Sequence, residues 1–131
     1  IIGDGSEKEI EILGHYGRTL GLLSAIREEF IDIFEPEELE NRRRHECLPL
    51  PILHALQNTQ KREEIMRLLQ KKKISEKAAY TLADLVMDTP EVQRLKKDLQ
   101  ALVEKELREI RPIRKSKNIL GLVLCSTTED L

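Results

Sequence analysis

Apolar residues recur along this chain at three- and four-residue intervals, and nowhere do they alternate with polar ones over the length of a strand. The first such segment predicts a helix from Ser6 to Phe34, with Leu13, Tyr16, Leu20, Leu23, Ile26 and Phe30 along one stripe. Ser6 and Glu9 stand at capping-box spacing, where hydroxyl and carboxylate each meet an orphan backbone N–H. Glu35 to Cys47 reads as a charged connection. Leu48-Pro49-Leu50-Pro51 opens a second helix over 49–58, since proline is tolerated in a first turn and not later. A third helix runs from a Thr59 cap to Gln70, closed by Lys71–Lys73 against its dipole. A fourth runs from a Ser75 cap to Asp88, and a fifth from Thr89-Pro90 to Ile110, with Pro112 as its stop. The last, 116–127, is nearly all apolar (Ile119, Leu120, Leu122, Val123, Leu124) and is expected to be buried. The pattern is all-α.

Two features of the first helix ask for partners. It would be about 43 Å long at 1.5 Å per residue, more than its short successors can cover. Gly14, Gly17 and Gly21 lie inside it, each costing about 1 kcal/mol relative to alanine. Close approach of another backbone explains them; a substrate lying along the helix is the alternative. The apolar side of this helix and the apolar last helix are both expected to want partners that this chain does not supply, so oligomerisation, or residues outside this sequence, would cover them.

Composition narrows the class. The 131 residues fit one domain or part of one, and 24 acidic against 22 basic side chains leave a net charge of −2. That balance, with two Phe, two Tyr and no Trp, speaks against a nucleic-acid binder built on Arg42–Arg44. No apolar run is long enough to span a bilayer, and no secretion signal opens the chain. Cys47 and Cys125 match no metal-ligand spacing and fit reduced thiols of a cytoplasmic protein. The start at Ile1-Ile2-Gly3 rather than Met suggests that a longer protein has lost its front.

The candidate chemistry sits at the end of the first helix. Glu28 and Asp32 are four residues apart and share a face, with Glu29 about 100° round from Glu28. Converging carboxylates repel unless a cation sits among them, and an all-oxygen set of this kind suits Mg²⁺ held jointly with substrate phosphates. A solvated acidic face is the plainer account of the same spacing. Arg42, Arg43 and Arg44 are either phosphate-binding guanidinium forks or a solvated basic stretch paired with Glu37, Glu38 and Glu40. His15 and His54 have no partner at ligand spacing and read as ordinary helix residues.

Taken in order, Tyr16-Gly17-Arg18-Thr19-Leu20-Gly21, Ile26-Arg27-Glu28-Glu29-Phe30-Ile31-Asp32 and Leu48-Pro49-Leu50-Pro51-Ile52-Leu53-His54-Ala55-Leu56 resemble the C-terminal half of the trans-isoprenyl diphosphate synthases, the polyprenyl synthetases. The resemblance covers essentially the whole chain. It implies an all-α bundle of the isoprenoid synthase type, of which residues 1–131 are the C-terminal half. The implied activity of the full-length protein is trans-prenyltransfer: isopentenyl diphosphate condenses with an allylic diphosphate to give a linear polyprenyl diphosphate. In that family Mg²⁺ ions bridge the allylic diphosphate to two aspartate-rich motifs. Glu28, Glu29 and Asp32 match the second motif. The first belongs to the N-terminal half, so the fragment alone would be inactive. Arg42, Arg43, Arg44 and His45 stand where the family's diphosphate-binding loop lies. The family is usually dimeric, which agrees with the uncovered apolar length.

The chain departs from the family pattern in defined places. Glu28 and Glu29 replace aspartates, Ser24-Ala25 replaces Phe-Gln, and the loop before Pro49 is shorter and lacks its Gly-Lys. These departures motivate an alternative, a non-catalytic or weakly active subunit of a heteromeric prenyl diphosphate synthase. A class I terpene cyclase would share the fold and the ionisation chemistry, but the Leu-Pro-Leu-Pro block speaks for the linear synthases.

Overall fold

The computed structural model describes residues 6–45, 47–113, 117–129 and 131. Among them there are seven helices and no strand: α1 Glu7–Ile33, α2 Pro36–His45, α3 Leu50–Ala55, α4 Arg62–Leu69, α5 Glu76–Met87, α6 Pro90–Glu109 and α7 Lys117–Ser126. The all-α expectation holds. No described helix is long and apolar enough to cross a membrane.

The caps explain most boundaries. Ser6 Oγ accepts from the Glu9 N–H at 3.2 Å and starts α1. Ser75 Oγ accepts from Ala78 N–H at 3.1 Å and starts α5. Thr89 Oγ1 accepts from Val92 N–H at 3.4 Å while donating to the Val86 carbonyl at 2.7 Å, so one hydroxyl ends α5 and starts α6. The third expected cap differs. Asn58, not Thr59, takes the two N–H groups of Gln60 and Lys61 at 3.1 and 3.0 Å, and α4 begins only at Arg62. An asparagine side chain closing its own turn delays the helix past the threonine.

The charged stretch read as a connection is largely a helix, α2, and this is a correction. Pro36 occupies its first position, Glu37 and Glu38 its first turn, and Arg42 to His45 its last, each on the side the helix dipole favours. Leu39 is fully buried and Glu40 pairs with Arg43 and Arg44 at i,i+3 and i,i+4. Glu46, within the same expected connection, lies outside the described residues.

The chain divides into two compact units, one of residues 28–97 and one of residues 1–27 with 98–131. In the central unit, α5 is the hub on which α2, α3 and α4 pack. Phe30, Ile33, Leu39, Ile52, Ile65, Leu82, Val86 and Val92 are almost wholly buried there. In the terminal unit, Tyr16, Leu23, Leu99, Val103, Ile110 and Leu124 form the core. The Tyr16 hydroxyl donates to the Leu120 carbonyl at 2.8 Å and so ties α1 to α7. Gly121 is the tightest of the described glycines: a Cβ there would come within 3.3 Å of the Leu107 side chain, which would have to give by a few tenths of an ångström.

One expectation about packing is corrected. α7 is not buried; Leu124 faces inward, but Ile119 and Leu122 are 62% and 72% exposed. A single ten-residue helix can turn only one side to the body it packs on, and no described element covers the other. Among the described residues, the first-helix glycines meet no backbone. A Cβ on Gly17 or Gly21 would find nothing within 4 Å, and one on Gly14 would meet only the Arg18 guanidinium at 3.6 Å. The expected start of the last helix, at 116, lies outside the described residues.

Candidate functional site

α1 carries Glu29 and Asp32 on its last turns, the chain reverses through Phe34 and Glu35, and α2 then brings Arg42 back over both carboxylates. The guanidinium grips Glu29 with two bonds, Nη1 to Oε1 at 2.8 Å and Nη2 to Oε2 at 3.1 Å. Its Nη1 also donates to Asp32 Oδ2 at 2.8 Å, and Nε donates to the Cys47 carbonyl at 3.0 Å. This fork-to-carboxylate geometry makes strong, directional pairs. Arg42 is 8% exposed, the most buried charged side chain of the central unit.

The second half of the site is α3. Its N-cap is Pro49, which has no side-chain acceptor, and Leu50 N–H would be left an orphan. Glu29 Oε2 accepts it at 2.8 Å. The two motif blocks, 26–32 and 48–56, therefore meet at one carboxylate. Burial pushes the Glu29 carboxyl up, but the hydrogen bonds from Arg42 and from Leu50 N–H outweigh it and hold it below the ordinary carboxylate range. Hydrogen bonding to Glu29, opposed by burial and joined by Asp32, drives the Arg42 guanidinium still further from deprotonation.

The remaining expected site residues are distributed differently. Glu28 is exposed and is not among the carboxylates gripped by Arg42. Arg43 turns to the end of α4, donating to the carbonyls of Leu69 at 3.1 Å and Lys71 at 2.9 Å and pairing with Glu40. The carbonyls expected to be balanced by Lys71–Lys73 are met by this arginine instead. Arg44 is exposed and bonds to Glu40 at 2.7 Å, and His45 is exposed. The pairing of Arg43 and Arg44 with Glu40 matches the plainer account of the basic stretch. An open cleft of about 580 Å³ lies beside α2, lined by Pro36, Glu37, Glu40, Lys73, Ile74 and Glu76 among others, and the acidic triplet is not part of its wall.

Set against a magnesium ion, the triplet does not fit as arranged. Both oxygens of Glu29 are committed to Arg42 and Leu50, Asp32 shares the same guanidinium, and Glu28 stands apart. A cation is already among the carboxylates, and it is an arginine.

One constellation escaped the sequence. In the terminal unit, His15 Nδ1 lies 2.9 Å from Glu106 Oε2 and 3.1 Å from Glu109 Oε2. The signal that would have found it is Glu106 itself, which falls on the inward stripe of α6 with Leu99, Val103 and Ile110. A carboxylate in an apolar stripe demands a partner. That charge is felt nearby: burial first, then Glu106, raises the Tyr16 hydroxyl above its ordinary range.

No protein-family model matches the chain, and no curated protein or solved structure does either.

Proposed function

We propose that this chain is the C-terminal portion of a protein of the trans-isoprenyl diphosphate synthase type, whose full-length form condenses isopentenyl diphosphate with an allylic diphosphate. The observation that supports this reading is the junction at Glu29, where the acidic block of α1, an arginine of α2 and the Leu-Pro-Leu-Pro start of α3 converge. Two of the blocks that carry the resemblance, 26–32 and 48–56, meet at this one carboxylate, with Arg42 of α2 set against it. An incoming diphosphate would compete with Glu29 and Asp32 for the Arg42 guanidinium, since phosphate oxygens suit the same fork. The family's Mg²⁺ belongs to this reading as an expectation, and would need carboxylates released from Arg42. Exposed apolar side chains on α1 and α7 (Ile10, Leu13, Leu22, Ile119, Leu122, Val123) support packing against a second copy or against the missing half.

The grip of Arg42 favours a second reading, a non-catalytic or weakly active subunit of a heteromeric synthase. There the triplet is a structural ion pair and the exposed faces serve assembly. The two readings separate in an extension assay on the intact gene product, with labelled isopentenyl diphosphate, Mg²⁺ and each short allylic diphosphate in turn. A lengthened product supports the first reading. A folded protein that extends no primer refutes it and leaves the second.

A further inference from the structure

A second cluster, within the terminal unit, is built from a half-exposed imidazole, a buried carboxylate and a partly exposed carboxylate. Glu106 is 1% exposed, yet its Oε1 has no hydrogen-bond partner, and Oε2 accepts only a long 3.3 Å bond from the Thr19 hydroxyl. His15 Nδ1 is likewise without a hydrogen bond although two carboxylate oxygens stand at 2.9 and 3.1 Å. An imidazolium bound to these carboxylates would aim its N–H at one of them. Here the nitrogen makes neither bond, and it lies with one oxygen of each carboxylate within a span of 4.8 Å.

That geometry is the edge of a coordination shell. With metal–ligand bonds of about 2.1 Å, neighbouring ligand atoms stand roughly 3.0 Å apart in an octahedron and roughly 3.4 Å apart in a tetrahedron. A cation would also neutralise a carboxylate that burial otherwise penalises heavily. We propose that His15, Glu106 and Glu109 form a binding site for a divalent transition-metal ion of the Zn²⁺ type. The imidazole nitrogen selects against Mg²⁺ and Ca²⁺, which take oxygen ligands, and the exposure of His15 and Glu109 lets water complete the shell. An ion there clips α1 to α6 within the terminal unit, 91 residues apart in sequence. The proposal does not depend on the prenyltransfer reading.

The test uses the chain stripped with a chelator and titrated with Zn²⁺ by calorimetry, then with Co²⁺ by visible absorption. The expected result is one ion per chain, a raised melting temperature on Zn²⁺ addition, and no comparable effect of Mg²⁺ at the same concentration. His15→Ala and Glu109→Gln change partly exposed side chains and leave the fold intact; each is expected to weaken Zn²⁺ at least ten-fold and to abolish the thermal shift. Glu106→Gln is expected to do the same, with circular dichroism checking that the buried change has not unfolded the unit. The proposal is overturned if the wild-type chain takes up no stoichiometric ion. It is equally overturned if the His15 and Glu109 variants bind as tightly as wild type, which would place the ion elsewhere.

Discussion

Leu50 gives its backbone N–H to Glu29 Oε2 at 2.8 Å, so a carboxylate on α1 caps a helix that begins between two prolines. The same carboxylate is held from its other side by Arg42. Local helix chemistry and the tertiary ion pair thus depend on one side chain.

Removing Arg42 leaves Glu29 and Asp32 facing each other in a partly buried site without their cation. Breaking such a pair is strongly destabilising, and Arg42→Met is expected to cost about 3 kcal/mol by urea unfolding. Arg42→Lys should recover less than half, because an ammonium cannot make the two-bond fork. A methionine variant as stable as wild type would show that the clamp is dispensable.

Acid should loosen the packing of α2. The hydrogen bond from Arg43, opposed by burial and supported by Arg44 and Ile74 N–H, holds the Glu40 carboxyl below its ordinary range. A carboxyl with a lowered folded-state value stabilises above its unfolded value of about 4.3 and loses that stabilisation as pH falls through the lowered one. Denaturant midpoints followed from about pH 6 to about pH 2.5 should therefore fall at the acid end. Glu40→Gln should shrink that fall, keeping the share that Glu29 contributes in the same direction.

Gly21 tests whether α1 is free in this chain. With nothing within 4 Å of an added Cβ, Gly21→Ala should stabilise the isolated chain by about 1 kcal/mol through helix propensity alone. If another backbone lies along this face in the full-length protein, the same change should weaken its assembly. A loss of stability in the isolated chain would mean that the face is already occupied.

The apolar side of α7 predicts self-association. Leu122 is 72% exposed, so Leu122→Lys should alter unfolding stability by no more than about 0.5 kcal/mol. Sedimentation velocity should show wild-type association that falls in the variant. A monomeric wild-type chain at high concentration would remove the basis for this face as an interface.

The elements with local signatures were legible in the sequence. Ser6, Ser75 and Thr89-Pro90 announced their helices because an N-cap is a contact over three residues. α2 was missed because its stripe is reduced to Leu39, and charge rather than apolar period defines it. α7 was read as buried and as wanting partners that this chain does not supply; Ile119 and Leu122 are exposed here, because composition says that a helix wants cover and not where the cover comes from. Glu28, Glu29 and Asp32 were read as one triplet of metal ligands and Arg42 as a diphosphate-binding or solvated arginine, whereas the structure sets Arg42 against Glu29 and Asp32 and leaves Glu28 exposed. That Arg42 neutralises this pair follows from the reversal between α1 and α2, which no spacing encodes. The meeting of His15 with Glu106 across the chain was further still from view, although the inward phase of Glu106 on α6 was readable.

The hold of Arg43 on the carbonyls after α4 has a kinetic side. Lys71, Lys72 and Lys73 are exposed, as a trypsin-like protease requires, while the carbonyls of Leu69 and Lys71 are fastened to the guanidinium. Cleavage needs several residues of backbone drawn out into an extended strand, which cannot happen while that fastening holds. The rate of cutting after these lysines therefore counts the fraction of time that α2 spends detached.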